Sequence, residues 1–230
     1  MTSTPKPDTA EIIRFLQGMA EPGQIIELRL LKVRRGGNGF SGTLSGYFSD
    51  YKKLAAEATK HTTSAEGVYV TINPVNPELL ARAANRLRIA SKDTPLTTDS
   101  DVTARRWLPI DVDPTRPRGI SSTEEEHELA IERARQIRDA LHAEGWPRPI
   151  LGDSGNGAHL LYRIDLPAND EGIVKRCLAA LALRFDDDRA TVDQSVFNPA
   201  RIWKLYGTLS RKGDSLPDRP HRLARILELP

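Results

Sequence analysis

The clearest alternation of apolar and polar positions in the chain is Trp107-Leu108-Pro109-Ile110-Asp111-Val112-Asp113, where Leu108, Ile110 and Val112 take every second place. That is the period of a strand with one face buried, and it puts both carboxylates on the other face. Two aspartates about 7 Å apart along one strand face repel each other unless a cation sits between them. The pattern therefore suggests a divalent metal site, although a strand running into an acidic turn gives the same letters.

Before this strand, helical spacing of Ile12, Ile13, Phe15 and Leu16 predicts a helix over 10–18. Strands are predicted over 25–33 and 40–48, with Asn38-Gly39 as a hairpin signal between them. Gly37, Gly39 and Gly42 spell Gly-x-Gly-x-x-Gly, but a dinucleotide fingerprint must open a helix in a βαβ unit and this one lies in a hairpin. Ser49 or Asp50 can cap a helix running through Ala58, with Lys52, Lys53 and Lys60 on a solvated face. A β-branched run predicts a strand over 67–73, and Pro77 opens a helix carrying Leu79, Leu80, Ala83, Ala84 and Leu87. Residues 90–104 are polar and turn-rich, the best linker in the chain.

After the Asp-bearing strand, Ser121, Ser122 and Thr123 followed by Glu125 and Glu126 form a capping box for a helix reaching about residue 143, closed by Gly145. Short strands over 150–151 and 159–164 are joined by Asp153-Ser154-Gly155-Asn156-Gly157. A helix over 170–185, an acidic turn at Asp186, Asp187 and Asp188, and a strand over 190–197 carrying Asp193 complete the order. This order is that of an α+β fold with a ferredoxin-like or RRM-like antiparallel sheet backed by helices. Two halves meeting near residue 100 would place a cleft beside the Asp-bearing strand.

Composition narrows the class. With 230 residues, 39% hydrophobic and 28% charged, the chain is of ordinary globular make-up. Its longest apolar run, 177–183, is too short to span a bilayer, and residues 1–6 lack the features of a signal peptide, so a cytoplasmic protein is expected. One cysteine excludes an internal disulfide, and Cys177 falls on the apolar face of a helix. The net charge of +2 is uneven: residues 201–225 carry seven Lys or Arg against two Asp. Such a patch suits a polyanion such as nucleic acid or a triphosphate, although from Arg219 onward a solvated tail fits equally well.

Three polar sites on separate elements carry the chemistry. Asp111 and Asp113 end one strand, Ser154-Gly155-Asn156-Gly157-Ala158-His159 is a glycine-rich turn delivering a histidine, and Asp193 is a third carboxylate followed by Arg201 and Lys204. Glycines in such a turn let backbone N–H groups approach an anion, and the imidazole can donate to a phosphate oxygen. Three carboxylates, a histidine and several cations are the requirements of two-metal phosphoryl transfer.

The set Ile110-Asp111-Val112-Asp113, Ser154 through His159, and Val192-Asp193 resembles the three motifs of the archaeo-eukaryotic primase superfamily, above all the primase-polymerase domains of bacteria, phages and plasmids. Residues 198–208 with Lys212 look like the basic segment after the third motif. The resemblance implies one catalytic domain: an N-terminal α/β module over about 10–100, an RRM-like module over about 105–215, the active site in the cleft between them, and a basic tail over 216–230. It implies template-dependent nucleotide transfer from NTP or dNTP on single-stranded DNA and a primer. Asp111, Asp113 and Asp193 would hold two Mg²⁺ or Mn²⁺ ions. Ser154, Gly155, Asn156, Gly157, His159, Arg201, Lys204 and Lys212 would meet the nucleotide. Arg201 and Lys204 have opposite strand parity, which a helical turn beginning at Asn198-Pro199 would resolve. Without a Walker A sequence or a cysteine cluster, the chain is expected to be a catalytic fragment or to use a helicase or priming module in trans. A metal-dependent nuclease or phosphohydrolase and a non-catalytic RRM-like binding module are the competing readings.

Overall fold

The structure, a computed structural model, describes residues 5–35 and 40–230. The turn of the first hairpin, with Gly37, Asn38 and Gly39 of the glycine pattern, lies outside the described residues. The strands are β1 (Ile26–Arg35), β2 (Phe40–Phe48), β3 (Gly67–Thr71), β4 (Arg88–Ile89), β5 (Ala104–Pro114), β6 (Ile150–Asp153), β7 (Ala158–Pro167), β8 (Ala190–Val192), β9 (Ile202–Lys204), β10 (Leu209–Ser210), β11 (Arg222–Leu223) and β12 (Arg225–Glu228). The helices are α1 (Thr9–Met19), α2 (Tyr51–His61), α3 (Glu124–Ala143) and α4 (Ile173–Phe185). They begin where the side chains dictate: Asp8 and Asp50 cap α1 and α2, and Thr123 with Glu126 closes a reciprocal capping box on α3.

Two five-stranded antiparallel sheets result, in the orders β4-β2-β1-β3-β9 and β12-β6-β7-β5-β8, with β10 and β11 as a separate pair. The α+β antiparallel architecture expected from the order of elements is the one observed. Strand parity decides what each face of the second sheet touches. Leu108, Ile110 and Val112 of β5, with Leu160 and Tyr162 of β7, pack on Ala130, Ala134 and Ile137 of α3 and Leu178 of α4. The opposite face, with Trp107, Ile150 and Leu161, shares a core with α1, β1, β3 and β9. In that shared core the Trp107 indole donates to the Met19 carbonyl at 3.1 Å, and Phe15 meets Tyr206 edge-on at 4.6 Å. Each fully buried Leu or Phe there contributes roughly 1.5–3 kcal/mol.

Four local expectations need correction. The helix from Pro77 is a short 3-10 turn, Pro77–Arg82. The strand over 190–197 stops at Val192, because the Asp193 side chain accepts from the Ser195 N–H and turns the chain into a 3-10 segment, Gln194–Phe197. The turn expected at Asn198-Pro199 does form, the Arg201 N–H donating to the Asn198 carbonyl at 3.1 Å, and it places Arg201 just ahead of β9. The C-terminal stretch is not a solvated tail: β11 pairs with β10, β12 pairs with β6 at the sheet edge, and Ile226 is buried. Linker residues 90–104 dock against the body, with Thr97 and Val102 buried.

Candidate metal and nucleotide centre

The second sheet presents Asp111 and Asp113 on the face away from α3, as their parity requires. Asp111 lies opposite His159 in the β5–β7 register, and Asp113 lies opposite Thr191 of β8. One residue past β8, the Asp193 N–H donates to the Asp111 carbonyl at 2.8 Å, which fixes the third aspartate beside the first. One carboxylate oxygen from each of Asp111, Asp113 and Asp193 lies within 4.8 Å of the others. The turn that carries Asp193 is tied down from behind by Arg105, whose guanidinium donates to the Phe197 carbonyl at 2.7 Å and pairs with Asp170 at 3.4 Å.

The charges are unevenly compensated. Burial works to raise the Asp111 carboxyl, but His159 at 3.4 Å, with Lys212 and Arg201 farther out, outweighs it and holds the group below the usual carboxylate range. The Asp113 carboxyl is pushed up to about 6, first by the charge of Asp111 and then by burial, with Lys212 and Arg116 opposing. Arg116, 3.2 Å from Asp113, is a cation that sequence reasoning did not single out. A carboxylate cluster that resists full ionisation, all oxygen donors, fits a hard divalent cation. In the first sheet, Tyr69 of β3 has its phenol pushed up to about 12 by burial and by the charges of Glu66, Asp111 and Asp113.

His159 is held on all sides. Its Nδ1 lies 3.1 Å from the Tyr206 hydroxyl, the Trp203 indole N–H donates to that hydroxyl at 3.3 Å, and the Trp203 ring stands 4.1 Å from the imidazole. Trp203 sits on β9 of the first sheet, so the histidine is oriented by residues from the other sheet. Gly152 of β6 makes room for this: a Cβ there would fall 2.2 Å from the Tyr206 ring. Trp203 and Tyr206 were legible only as aromatics beside Arg201 and Lys204; nothing in their spacing shows that they brace a histidine.

Not every residue expected to meet the nucleotide is presented to the aspartates. The turn between β6 and β7 uses its own polar groups: the Ser154 hydroxyl accepts from the Gly157 N–H at 3.0 Å and the Asp153 carboxylate accepts from the Gly155 N–H at 2.6 Å. Asn156 accepts from the Ser122 N–H at 3.0 Å and donates to the Ser210 hydroxyl at 2.8 Å. Ser154, Gly155, Asn156 and Gly157 thus set the start of β7, and their N–H groups do not stand free as an anion cradle. Behind them Asp153 pairs with buried His127 at 2.7 Å. The Lys204 ammonium is buried, donating to the Thr208 hydroxyl at 2.9 Å and the Leu209 carbonyl at 2.7 Å, and burial with nearby Lys212 pushes it down to about 7. Lys204 therefore points into the protein, because it ends a strand of the first sheet. Arg201 holds the Ser195 carbonyl and keeps a buried Nε without a partner among the described residues.

No family model matches the chain, and no curated protein matches it in sequence. Solved structures do. The AEP domain of the cyanophage S-2L primase-polymerase superimposes with a TM-score of 0.53 at 14% identity, covering 98% of this chain and 92% of that one. The primase RepB′ gives a TM-score of 0.51 at 14% identity, covering 96% of this chain and 56% of that one. The fold is that of archaeo-eukaryotic primase domains. No helix among the described residues is long and apolar enough to cross a membrane.

Proposed function

We propose that the chain is a template-dependent nucleotidyltransferase, a DNA primase, a DNA polymerase or both. The observation that carries this reading is the convergence of Asp111, Asp113 and Asp193 within 4.8 Å beside a histidine braced by Tyr206 and Trp203. Asp111, Asp113 and Asp193 would hold Mg²⁺ or Mn²⁺. Bound there, such ions would neutralise charge developing on the transferred phosphoryl group and lower the cost of ionising an attacking hydroxyl.

The chain's own residues do the positioning. Asp111 remains ionised because His159 lies against it, and Asp113 completes the site once a cation offsets its repulsion from Asp111. His159 Nε2, now 3.4 Å from Asp111, is the donor that a triphosphate oxygen can take over, since Nδ1 is already fixed on Tyr206. Arg201 and Lys212, whose charges already reach Asp111, supply the cations for the triphosphate. A nuclease can use the same carboxylates but has no need of a triphosphate-holding set, which is why the polymerase reading is preferred. The binding-module reading fares worse, since three clustered carboxylates repel a phosphate backbone.

The test is incorporation of labelled NTP or dNTP on single-stranded DNA, with and without a primer, in Mg²⁺ or Mn²⁺. Product growth supports the reading. Strand cleavage without growth would replace it with the nuclease.

A further inference from the structure

The basic residues near the C-terminus fall into two groups. Arg219 makes a two-pronged ion pair with Glu126 at 2.7 and 2.9 Å, and Arg222 pairs with Glu124 at 3.0 Å while holding the Ser122 carbonyl. These two fasten the C-terminal strands to α3. By contrast, no carboxylate among the described residues pairs with Arg34, Arg211 or Lys212. Arg34 and Arg211 face a groove of about 410 Å³ that also carries Lys32 and His221 and, as its carboxylates, Asp214 and the Lys32 partner Glu66.

The groove is shaped by unusual backbone on both walls. Pairing of β1 with β2 slips between Leu30 and Val33, and Lys32 within that bulge takes a φ of 48°, a left-handed conformation uncommon for a lysine. Bulges re-aim side chains next to functional sites, and this one turns Lys32 outward to meet Glu66 at 2.8 Å at the groove's rim. Opposite, Gly213 comes so close to the Gly119 carbonyl that a Cβ there would lie 2.9 Å away. Arg211 donates to the Thr63 and Ala65 carbonyls, so its charge is anchored without being neutralised. Burial and the charge of Arg34 both push the Arg211 guanidinium down.

We propose that this groove is a second anion site, separate from the carboxylate centre, which holds the phosphodiester backbone of a single-stranded nucleic acid. The inference rests on the polymerase reading for its destination. Arg211 lines the groove, and the next residue is Lys212, which the proposed function assigns to the triphosphate, so a strand in the groove would run alongside the segment that serves the nucleotide. Phosphate groups are the fitting occupants because guanidiniums bind them through paired N–H donors, and His221 adds an aromatic face at the far wall.

The experiment measures affinity for a labelled single-stranded oligonucleotide across a salt series, together with the nucleotide KM. The proteins are the wild type, Arg34→Ala, Arg34→Glu, and Lys52→Ala as an exposed-cation control on α2. Arg34→Ala is expected to flatten the log-log salt slope by about 0.7 for each phosphate that the arginine neutralises in the wild type. Arg34→Glu is expected to weaken binding further, Lys52→Ala to leave it unchanged, and the nucleotide KM to stay at the wild-type value. Wild-type affinity and slope in a folded Arg34→Glu variant would overturn the proposal. So would a raised nucleotide KM with unchanged strand affinity, which would make the groove a nucleotide site. If the wild type binds the strand through Arg34 but incorporates nothing, the groove stands and the polymerase reading falls.

Discussion

Asp113 is the residue whose chemistry is most exposed to test. Its carboxyl sits at about 6, above the ordinary 3.8, so the stability it lends is fully present below about pH 4 and lost as pH rises through about 6. Above that range it is a cost, of order 1 kcal/mol once solvent screening of a side chain 41% exposed is allowed for. Asp113→Asn is therefore expected to raise the melting temperature of the metal-free protein at pH 8 by about 2–4 °C and to abolish stabilisation by Mn²⁺. An unchanged Mn²⁺ response would remove Asp113 from the metal set. Since the cation competes with a proton there, Mn²⁺ affinity should fall as pH drops through about 6.

His159 was legible as a site residue but not as a braced one. Buried beside Trp203, it leaves a hole when truncated, so His159→Ala is expected to cost about 1–3 kcal/mol as well as slowing incorporation per folded molecule by roughly 10²-fold. Thermal melts and single-turnover rates on one preparation separate the two effects. A destabilised variant with the wild-type rate would end the nucleotide-contact role.

Among the elements, parity and caps were readable and tertiary burial was not. The alternation of Leu108, Ile110 and Val112 with the aspartates placed β5 correctly on both faces, and the Thr123–Glu126 box placed the start of α3. The strand expected over 190–197 ends at Val192 because the Asp193 side chain accepts from the Ser195 N–H, a capping contact that the letters around it do not announce. Lys204 misled because pairing of β9 with β3 turns its side chain inward, a fact of the other sheet. Gly152 carries no signal in the sequence at all, yet it admits the Tyr206 ring. Gly152→Ala is expected to displace Tyr206 and with it His159, lowering stability and incorporation together. Wild-type kinetics in that variant would show that the brace does not matter.

In the molecule as a whole, the two sheets interlock in a way that no local pattern announces. β9, late in the chain, completes the first sheet, and β12 closes an edge of the second with Ile226 in the shared core. The pairing of β12 with β6, which sets Arg225 opposite Asp153 far earlier in the chain, has no local pattern to announce it, which is why residues 216–230 read as a basic tail. Ile226→Ala is expected to cost about 2 kcal/mol or more in a urea titration. A solvated tail would show no change.

The central claim is that Asp111, Asp113 and Asp193 form one metal centre for nucleotide transfer. Template-directed incorporation by the Asp111→Ala, Asp113→Ala double variant, compared with the wild type in Mn²⁺ on the same primed single-stranded DNA, tests it most directly. Loss of all product growth is expected, with the far-ultraviolet spectrum and strand affinity retained, because removing two negative charges does not weaken attraction to phosphates. Continued growth of product in the folded double variant would contradict the account.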